Sequence, residues 1–305
     1  MPIFGPETTA EEAVAGADLT GRVVVVTGAT SGLGAETVRV LAGAGAHVVA
    51  TARDAGKAAE TVDSLAGEGR SVEAGVLDLG SAASVREFAA WLLARHPRVD
   101  VLVNNAGVMA TPLGRTADGF ETQFGTNHLG HFLLTNLLVP ALLRGAPARV
   151  VNLSSAGHKV SDILWDDPNF ATTEYQPWVA YGQSKTANVL FAVELDRRLA
   201  DRGVRAYAVH PGSVGTNLGR YLGKEEGAAM LARATSSAHR AKSVPEGAAT
   251  QVWAATSPDL AGRGGLYLED CHVSDNHRPW ARDPEAAARL WAMSEELLGE
   301  KFPAV

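Results

Sequence analysis

Tyr181 and Lys185 are separated by three residues in WVAYGQSKTANVLF, a stretch with the pattern of a helix. On a helix, side chains four positions apart lie on the same face and are adjacent. A phenol ionises near pH ~10, and a positive charge beside it favours the phenolate and lowers the pKa of the phenol. The pair could therefore act as a general acid and base. The same spacing also arises by chance, so other residues have to decide between these interpretations.

A glycine-rich turn, TGATSGLG, follows the apolar run RVVVVTG and opens an amphipathic stretch. Its glycines are spaced G-x-x-x-G-x-G, whereas the usual dinucleotide fingerprint is G-x-G-x-x-G. Glycine allows a tight turn and a close approach of the backbone, and a helix N-terminus offers N–H groups to a pyrophosphate. We therefore predict a dinucleotide site, with a plain turn as the alternative. The predicted contacts are Gly28, Thr30, Ser31, Gly32, Leu33 and Gly34.

The second apolar run, HVVATAR, ends in Ala52 and Arg53. At this position a carboxylate binds the ribose 2′-OH of NAD, whereas an arginine accommodates the 2′-phosphate of NADP. Asp54 lies one residue further and is predicted to cap the next helix. The sequence therefore favours NADP over NAD, and a solvated surface arginine is the alternative.

Polar and small residues also follow the third and fourth apolar runs. Asp78, followed by Leu79, ends SVEAGVLDL and could accept a hydrogen bond from the adenine amino group. VDVLVNNAG ends in two amides and a small pair, which suit a backbone wall beside a cofactor, with an Asx turn as the alternative. In parallel sheets ligands bind beyond the carboxyl ends of the strands. Asn105, Ala106 and Gly107 are therefore predicted cofactor contacts.

The elements that must position these residues alternate between strands and helices. The strands are predicted over 22–28, 47–53, 71–79, 99–107, 148–155, 204–212 and 265–270, and the helices over 34–44, 55–66, 83–95, 128–143, 181–200 and 245–256. This alternation implies right-handed crossovers and a parallel sheet with helices on both faces. We predict a Rossmann-type, doubly wound α/β fold in three α/β/α layers. Residues 1–20 would form an N-terminal arm and 21–305 a single domain, with a substrate lid over 213–244 and a C-terminal extension over 265–305.

Composition excludes several classes of protein. The chain has 305 residues, 46% of them hydrophobic, and 27 basic against 34 acidic residues give a net charge of −7 without a basic block. A nucleic-acid partner is therefore not expected. Cys271 is the only cysteine, which excludes an intramolecular disulfide and a cysteine-based zinc cluster. Four of the nine histidines, His128, His131, His158 and His210, lack metal-ligand spacing, so we predict no metal site and structural or solvated roles for them. His158, which is close to Ser155, could instead line the substrate site.

No targeting or membrane segment is expected either. The N-terminus lacks the basic region and apolar run of a signal peptide. TNHLGHFLLTNLLVPALL is interrupted by His, Asn and Pro140 and is shorter than the roughly twenty apolar residues of a membrane span. It is predicted to be a buried helix. The sequence therefore predicts a cytoplasmic protein without a membrane anchor.

Seven motifs together resemble the classical short-chain dehydrogenases/reductases. They are TGATSGLG, DL at 78–79, NNAG, Asn127 in TNHLGHF, Ser155 in VVNLSS, Tyr181-x-x-x-Lys185 and HPG at 210–212. Their order and approximate spacing match from about residue 21 to 255. The segment between Ser155 and Tyr181 and the ending PWARDPEAAARLWAMSEELLG are similar to the retinol-dehydrogenase-like branch.

The resemblance implies a role for each site residue. Tyr181 would exchange a proton with the substrate oxygen, Lys185 would lower the pKa of Tyr181 and hold the nicotinamide ribose, and Ser155 would hydrogen-bond the substrate. Asn127 would order a water that links Lys185 to solvent. Further cofactor contacts would come from Pro211, Gly212, Val214 and Thr216.

The predicted function is an NADP(H)-dependent oxidoreductase that interconverts a lipophilic alcohol and its ketone or aldehyde. A non-catalytic NADP(H)-binding sensor or scaffold is the alternative, although it should have lost one of the four catalytic residues. Family members commonly pair through the helices that carry Asn127 and Tyr181. The insertion before Tyr181 lies beside that surface and could block pairing, so a monomer and a homodimer both stay open.

Overall fold

The computed structural model describes residues 4–65, 69–223 and 241–302. Within them, eight strands form one sheet in the order β3-β2-β1-β4-β5-β6-β7-β8. Their bounds are β1 Val23–Val26, β2 His47–Ala52, β3 Ser71–Val76, β4 Val101–Asn104, β5 Ala148–Leu153, β6 Val204–His210, β7 Leu266–Glu269 and β8 His272–Val273. The first seven pair in parallel, and β8 pairs antiparallel with β7.

Nine α-helices lie in the described ranges. They are α1 Ala10–Val14, α2 Gly32–Gly43, α3 Ala55–Leu65, α4 Ala82–Arg95, α5 Thr122–Phe124, α6 Gly130–Gly145, α7 Pro177–Leu199, α8 Val244–Thr256 and α9 Pro284–Leu298. A π-helical turn, Gly125–Leu129, joins α5 to α6. None of these helices is long and apolar enough to cross a membrane. The cytoplasmic location inferred from the sequence stays a prediction.

Helices cover both faces of the sheet, as the continuous β-branched runs predict. Val24 and Val26 point into a core shared with α1, α2 and α8. Val25, between them, points into the opposite core, which includes side chains of α4, α6, α7 and α9. Side chains alternate along a strand, so one run of valines supplies both cores. The predicted three-layer doubly wound fold is confirmed.

The strand order reverses between β1 and β4, the third and fourth strands across the sheet. Chain crossovers run in opposite directions on either side of this point, which leaves a crevice beyond the carboxyl ends of the strands. The glycine-rich turn follows β1 and NNAG overlaps the end of β4, so both predicted cofactor segments border this crevice.

Several elements differ from the sequence predictions. Within the predicted 1–20 arm, α1 buries Ala10 and Ala13 against the core instead of lying free. The predicted 128–143 helix begins earlier, at α5, and passes through the π-helical turn. β8 was not predicted, because a two-residue strand shows no periodicity. Its hairpin turn, Asp270 and Cys271, has φ of 52° and 60°, a conformation usually supplied by Asn or Gly.

The C-terminal extension returns to the helices that carry the predicted catalytic residues. Trp291 of α9 packs against Phe132 of α6 and Phe191 of α7, with ring centroids 4.9 and 6.0 Å away. The guanidinium of Arg198 lies 4.2 Å from the Trp291 ring. On α9, Ser294 Oγ lies 2.8 Å from His128 Nε2 in the π-helical turn. The extension is therefore part of the hydrophobic core of the domain.

Candidate active site

A single cavity of about 1080 Å³ lies at the crevice beyond the strand ends. This volume exceeds the usual range of small-ligand pockets and suits a dinucleotide together with a substrate. Every cofactor contact predicted from the sequence borders it, as do Ser155, Tyr181 and Lys185. The predicted contacts on its wall are Gly28, Thr30, Ser31, Gly32, Leu33, Gly34, Arg53, Asp78, Leu79, Asn105, Ala106, Gly107, Pro211, Gly212, Val214 and Thr216.

Tyr181 and Lys185 project from the second and third turns of α7, which begins with Pro177. Proline suits the first turn of a helix because its missing N–H has no partner there. Tyr181 is 3% exposed and Lys185 4%, and the Lys185 Nζ lies 5.6 Å from the centroid of the Tyr181 ring. Nζ donates a hydrogen bond to the Leu153 carbonyl at the end of β5, 3.0 Å away. The helix therefore places both groups beside the end of β5.

Burial sets the acid–base behaviour of this pair. It raises the pKa of Tyr181 to about 12, and hydrogen bonding by Ser155 opposes the rise. Burial also lowers the pKa of Lys185 to about 8. The sequence predicted a lowered pKa for Tyr181 from the neighbouring ammonium. In the protein without cofactor, the loss of hydration outweighs the effect of the ammonium on the phenol. It disfavours both the phenolate of Tyr181 and the ammonium of Lys185.

Asn127 lies behind the wall of the cavity and is fully buried. Its Nδ2 donates to the Val108 carbonyl and to Ser184 Oγ, both at 2.9 Å, and its Oδ1 accepts from the Val108 N–H at 2.8 Å. The Asn127 carbonyl lies 2.9 Å from His131 Nδ1. The side chain and carbonyl are thus bound to protein groups. Asn127 is placed to hold the Val108 segment and α7 in register.

The glycine-rich turn has room only for glycine at two positions. A Cβ on Gly34 would lie 2.3 Å from the Gly28 carbonyl oxygen and 2.6 Å from Asn105 Nδ2, and a Cβ on Gly28 would lie 2.8 Å from Ala106. Gly28 also has a φ of +65°, which L side chains rarely adopt. The turn therefore brings the backbone N–H groups at the start of α2 to the cavity, where they fit a pyrophosphate.

Thr27, which was not among the predicted site residues, stabilises this turn. Thr27 Oγ1 accepts hydrogen bonds from the backbone N–H groups of Asn105 and Ala106, at 2.9 and 3.0 Å. Asn105 Nδ2 donates in return to the Thr27 carbonyl at 2.7 Å. The ends of β1 and β4 are thereby locked together, as the amide pair predicted. The Thr27 Oγ1 also lies 2.8 Å from His131 Nε2, which ties the turn to α6.

At the other end of the cavity, Arg53 directly follows β2 and is exposed. Asp54 Oδ1 accepts from the Lys57 N–H at 2.9 Å, so Asp54 caps α3 as predicted. Lys57 also borders the cavity, and the sequence reading missed it. The sequence does contain a signal for Lys57, because it lies four residues after Arg53 and carries the same charge. Asp78 likewise faces the cavity, with its Oδ1 accepting from the Gly80 N–H at 2.9 Å.

The opposite part of the cavity is largely apolar. Met109, Trp178, Leu218 and Leu222 pack around Tyr181. Trp178, at the start of α7, lines the cavity. Of the predicted lid, residues 213–223 and 241–244 are described, and 224–240 lie outside the described residues. The first and last parts of the lid lie side by side, because the Lys242 N–H donates to the Ser213 carbonyl at 2.8 Å.

The histidines are largely structural, as predicted. His128 and His131 are fully buried, and burial lowers the pKa of His128 to about 3 and that of His131 to about 4. His158 could have lined the substrate site, but its Nδ1 pairs with the Ser155 carbonyl and it lies outside the cavity wall. His210 does border the cavity. Its Nδ1 accepts from the Ala156 and Gly212 N–H groups at 3.3 and 3.4 Å, which joins the loops after β5 and β6.

Comparison with known proteins identifies the class. A sequence profile for short chain dehydrogenases matches residues 22–227. Retinol dehydrogenase 13 of Homo sapiens is 42% identical over 293 residues, which cover 95% of this chain and 88% of the relative. Retinol dehydrogenase 12 of Mus musculus is 44% identical, covering 92% and 87% of the two chains. The WW domain-containing oxidoreductase of Homo sapiens is 42% identical, covering 98% and 73%.

Solved structures agree with the sequence relatives. A crystal structure of a protein from Mycobacterium paratuberculosis is 40% identical, with a TM-score of 0.78, and the match covers 95% of this chain and 98% of that chain. The Pseudomonas aeruginosa RhlG complex with NADP is 28% identical, with a TM-score of 0.66, and the match covers 83% and 95%.

The fold and the strand-end cavity define an α/β oxidoreductase with a nicotinamide dinucleotide site. The chain belongs to the short-chain dehydrogenase family, within its retinol-dehydrogenase-like branch. It is an oxidoreductase that acts on CH–OH donors and on the corresponding carbonyls, and its substrates are small molecules.

Proposed function

We propose that the chain is an NADP(H)-dependent oxidoreductase that interconverts a lipophilic alcohol and its ketone or aldehyde, with Tyr181 as the acid and base. The observation that carries this proposal is the meeting of Ser155, Tyr181 and Lys185 in a cavity whose neighbouring wall is apolar. Hydride transfer needs no protein nucleophile. The chain must polarise one C–O bond, move one proton and exclude water.

A nicotinamide dinucleotide held by the glycine-rich turn and by Arg53 would supply the hydride for reduction and accept it in oxidation. Ser155 donates a hydrogen bond to the substrate oxygen and orients it toward Tyr181. Burial keeps the Tyr181 phenol protonated at neutral pH, so it is ready to donate its proton to a carbonyl oxygen. The Lys185 ammonium, with a pKa near neutrality, is suited to return a proton toward the phenol. In oxidation each proton moves in the opposite direction.

The preference for NADP rests on the charges at the adenosine end. Arg53 and Lys57 are exposed at the cavity, while Asp54, the carboxylate next to Arg53 in the sequence, caps α3, and its Oδ2 lies 3.9 Å from Lys57 Nζ. Two cations favour a 2′-phosphate, which an acidic residue would repel. The structural relative RhlG, which binds NADP, supports the same choice.

The preference for a lipophilic substrate rests on the apolar wall. Val160 and Tyr221, which are 54% and 46% exposed, border the cavity near Trp178. Exposed apolar side chains at the edge of a cavity favour a ligand that covers them. Two of the relatives are named retinol dehydrogenases, and retinol is a long apolar alcohol. We therefore expect kcat/KM to rise with the apolar length of the substrate.

Tyr181→Phe tests the chemical role. The change keeps the ring and its packing but removes the transferable proton, so kcat should fall by at least about a hundredfold. Hydride transfer is followed by the absorbance of the reduced cofactor across a panel of alcohols, ketones and aldehydes. Cofactor affinity and thermal stability should stay near wild type. Near-normal turnover by Tyr181→Phe in both directions would show that the proton comes from another group.

A further inference from the structure

Two histidines and a glutamate meet at the end of the sheet opposite the dinucleotide site. His47 begins β2, Glu73 lies on β3, and His96 follows the last residue of α4. Glu73 Oε2 lies 3.2 Å from His47 Nε2 and 2.7 Å from His96 Nε2. One ligand atom from each residue lies within 4.8 Å of the others. The sequence analysis predicted no metal site and did not single out this cluster, because its members are far apart in the chain.

Sheet pairing brings these residues to one face. His47 is the register partner of Ser71, and Glu73 is two positions further along β3. Side chains two apart in a strand point to the same face. That face carries Val49 and packs against α4, so the His96 ring reaches the same point as the other two. The ring centroids of His47 and His96 are 4.9 Å apart.

The side chains around the cluster orient it further. Ser71 Oγ lies 2.7 Å from His47 Nδ1, which directs Nε2 toward Glu73. Arg95 donates to the other oxygen of Glu73, Oε1, at 2.6 Å and leaves Oε2 to the histidines. Partners of this kind on the far atoms of a histidine and a carboxylate fix the ligand geometry of metal sites. The side chains are 16–30% exposed, so an ion can enter from solvent.

The alternative is a hydrogen-bonded ion cluster without a metal ion. The separations between the ligand atoms are similar in the two kinds of site. Ligands at ~2.0–2.1 Å from a tetrahedral zinc ion lie about 3.3–3.4 Å apart. The gap between Glu73 Oε2 and His47 Nε2 already has nearly that length, and the gap to His96 Nε2 has to open by about half an ångström. Two imidazoles and one carboxylate are a frequent ligand set for zinc.

We propose that His47, Glu73 and His96 bind one divalent transition-metal ion of the zinc class, with solvent completing the coordination. Each imidazole binds the ion through an Nε2 atom that carries no hydrogen, and any proton on that atom is released to solvent. In this tautomer His47 Nδ1 carries the ring hydrogen and donates it to Ser71 Oγ. The ion would join β2, the edge strand β3 and the end of α4. Arg53 follows His47 by six residues along β2, which separates the cluster by about 20 Å from Arg53 and the cofactor cavity. The site is therefore structural and independent of hydride transfer.

Equilibrium dialysis of the metal-free full chain against Zn²⁺ tests this proposal. We expect one ion per chain, a higher melting temperature with Zn²⁺, and a visible d–d spectrum of a low-symmetry site when Co²⁺ replaces Zn²⁺. Affinity should fall at least about a hundredfold in His96→Gln, which removes a ligand, and about tenfold in Ser71→Ala, which removes an orienting contact.

His272→Gln is the matched control, because it removes an exposed imidazole outside the cluster. It should bind Zn²⁺ like the wild type, and kcat should be unchanged in each variant. Melting curves in a chelator establish that the variants fold. The absence of saturable binding of Zn²⁺ and Co²⁺ by the wild type would overturn the proposal. Equal affinities in His96→Gln and the wild type would also overturn it.

Discussion

The buried ammonium of Lys185 shows how a single residue can serve the reaction at the expense of stability. It is 4% exposed, and among the described groups its Nζ donates only to the Leu153 carbonyl. Burial lowers its pKa from 10.5 to about 8, which measures how strongly the folded protein disfavours the charged form. A group tuned close to neutral pH is useful for moving protons.

Lys185→Met should therefore yield a more stable but inactive protein. Between pH 8 and 10.5 the unfolded chain binds more protons at this position than the folded chain, so wild-type stability rises with pH there. At pH 7 the variant should gain on the order of 2–3 kcal/mol in free energy of unfolding. Urea unfolding at pH 7 and pH 10 measures this, and the gain should be smaller at pH 10. An equal gain at both pH values would contradict a buried charge.

Arg53 offers a second test at the scale of one residue. Arg53→Ala should weaken NADPH binding at least about tenfold, since a charge-assisted hydrogen bond to phosphate contributes more than 1.4 kcal/mol. NADH binding should change less than about twofold, because NADH has no phosphate at this position. Fluorescence titration gives both dissociation constants. Arg202→Ala, which removes an exposed arginine near the start of β6, serves as the control. A wild type that prefers NADH would refute the assignment.

At the scale of elements, α2 carries a steric requirement at one end only. Gly34 faces the Gly28 carbonyl and the Asn105 amide at the cavity. Gly43, at the end of the same helix, is exposed, and a Cβ there would have only Arg70 Nε near it, 3.9 Å away. The two glycines thus separate the effect of the turn from the effect of helix propensity.

Gly34→Ala should destabilise the fold by about 1–3 kcal/mol and strongly weaken cofactor binding, because the turn has to move. Gly43→Ala should leave binding unchanged and stabilise the helix by up to about 1 kcal/mol. Chemical unfolding and cofactor titration of both variants make the comparison. Wild-type cofactor affinity in Gly34→Ala would show that the close approach at this turn is dispensable.

The order of elements could be predicted from sequence because each central strand is a β-branched run and each turn carries its own signal. The predicted strand over 99–107 was too long, however, since β4 ends at Asn104. Asn105 turns inward there and bonds the Thr27 and Gly28 carbonyls, a contact that depends on the neighbouring strand. The cluster of His47, Glu73 and His96 and the hydrogen bonds that Thr27 accepts also depend on strand register. Strand register cannot be predicted from the residues of one strand alone.

At the scale of the whole molecule, α9 and the insertion before Tyr181 pack on the helices through which family members commonly pair. Trp291 packs on α6 and α7, and it is 5% exposed. The insertion is bound to α7 as well, because Gln183 accepts from the Leu164 N–H at 2.8 Å and donates to the Pro168 carbonyl at 2.9 Å. Much of the surface that could pair is thus covered by the chain itself.

We therefore expect a monomer of 31.9 kDa in light scattering coupled to gel filtration at micromolar concentration. Trp291→Ala should destabilise the domain by about 3–5 kcal/mol, because it leaves a cavity between three helices. Dilution should not change the mass of the wild type. A mass of twice this value, stable on dilution, would show that the chain pairs through another surface.

The two ends of the predicted lid meet where the Lys242 N–H reaches the Ser213 carbonyl, and Lys242 Nζ also pairs with Asp270 beside β7. Ser213 and Lys242, which lie at the two ends of this segment, are therefore side by side on the scaffold. Segments attached in this way tolerate replacement, since their exchange does not shift the elements on either side. Substrate preference in this protein should be transplantable: the span between Thr216 and Lys242 of a relative could be exchanged as a cassette, while Val214 and Thr216 keep their places on the wall of the cofactor cavity.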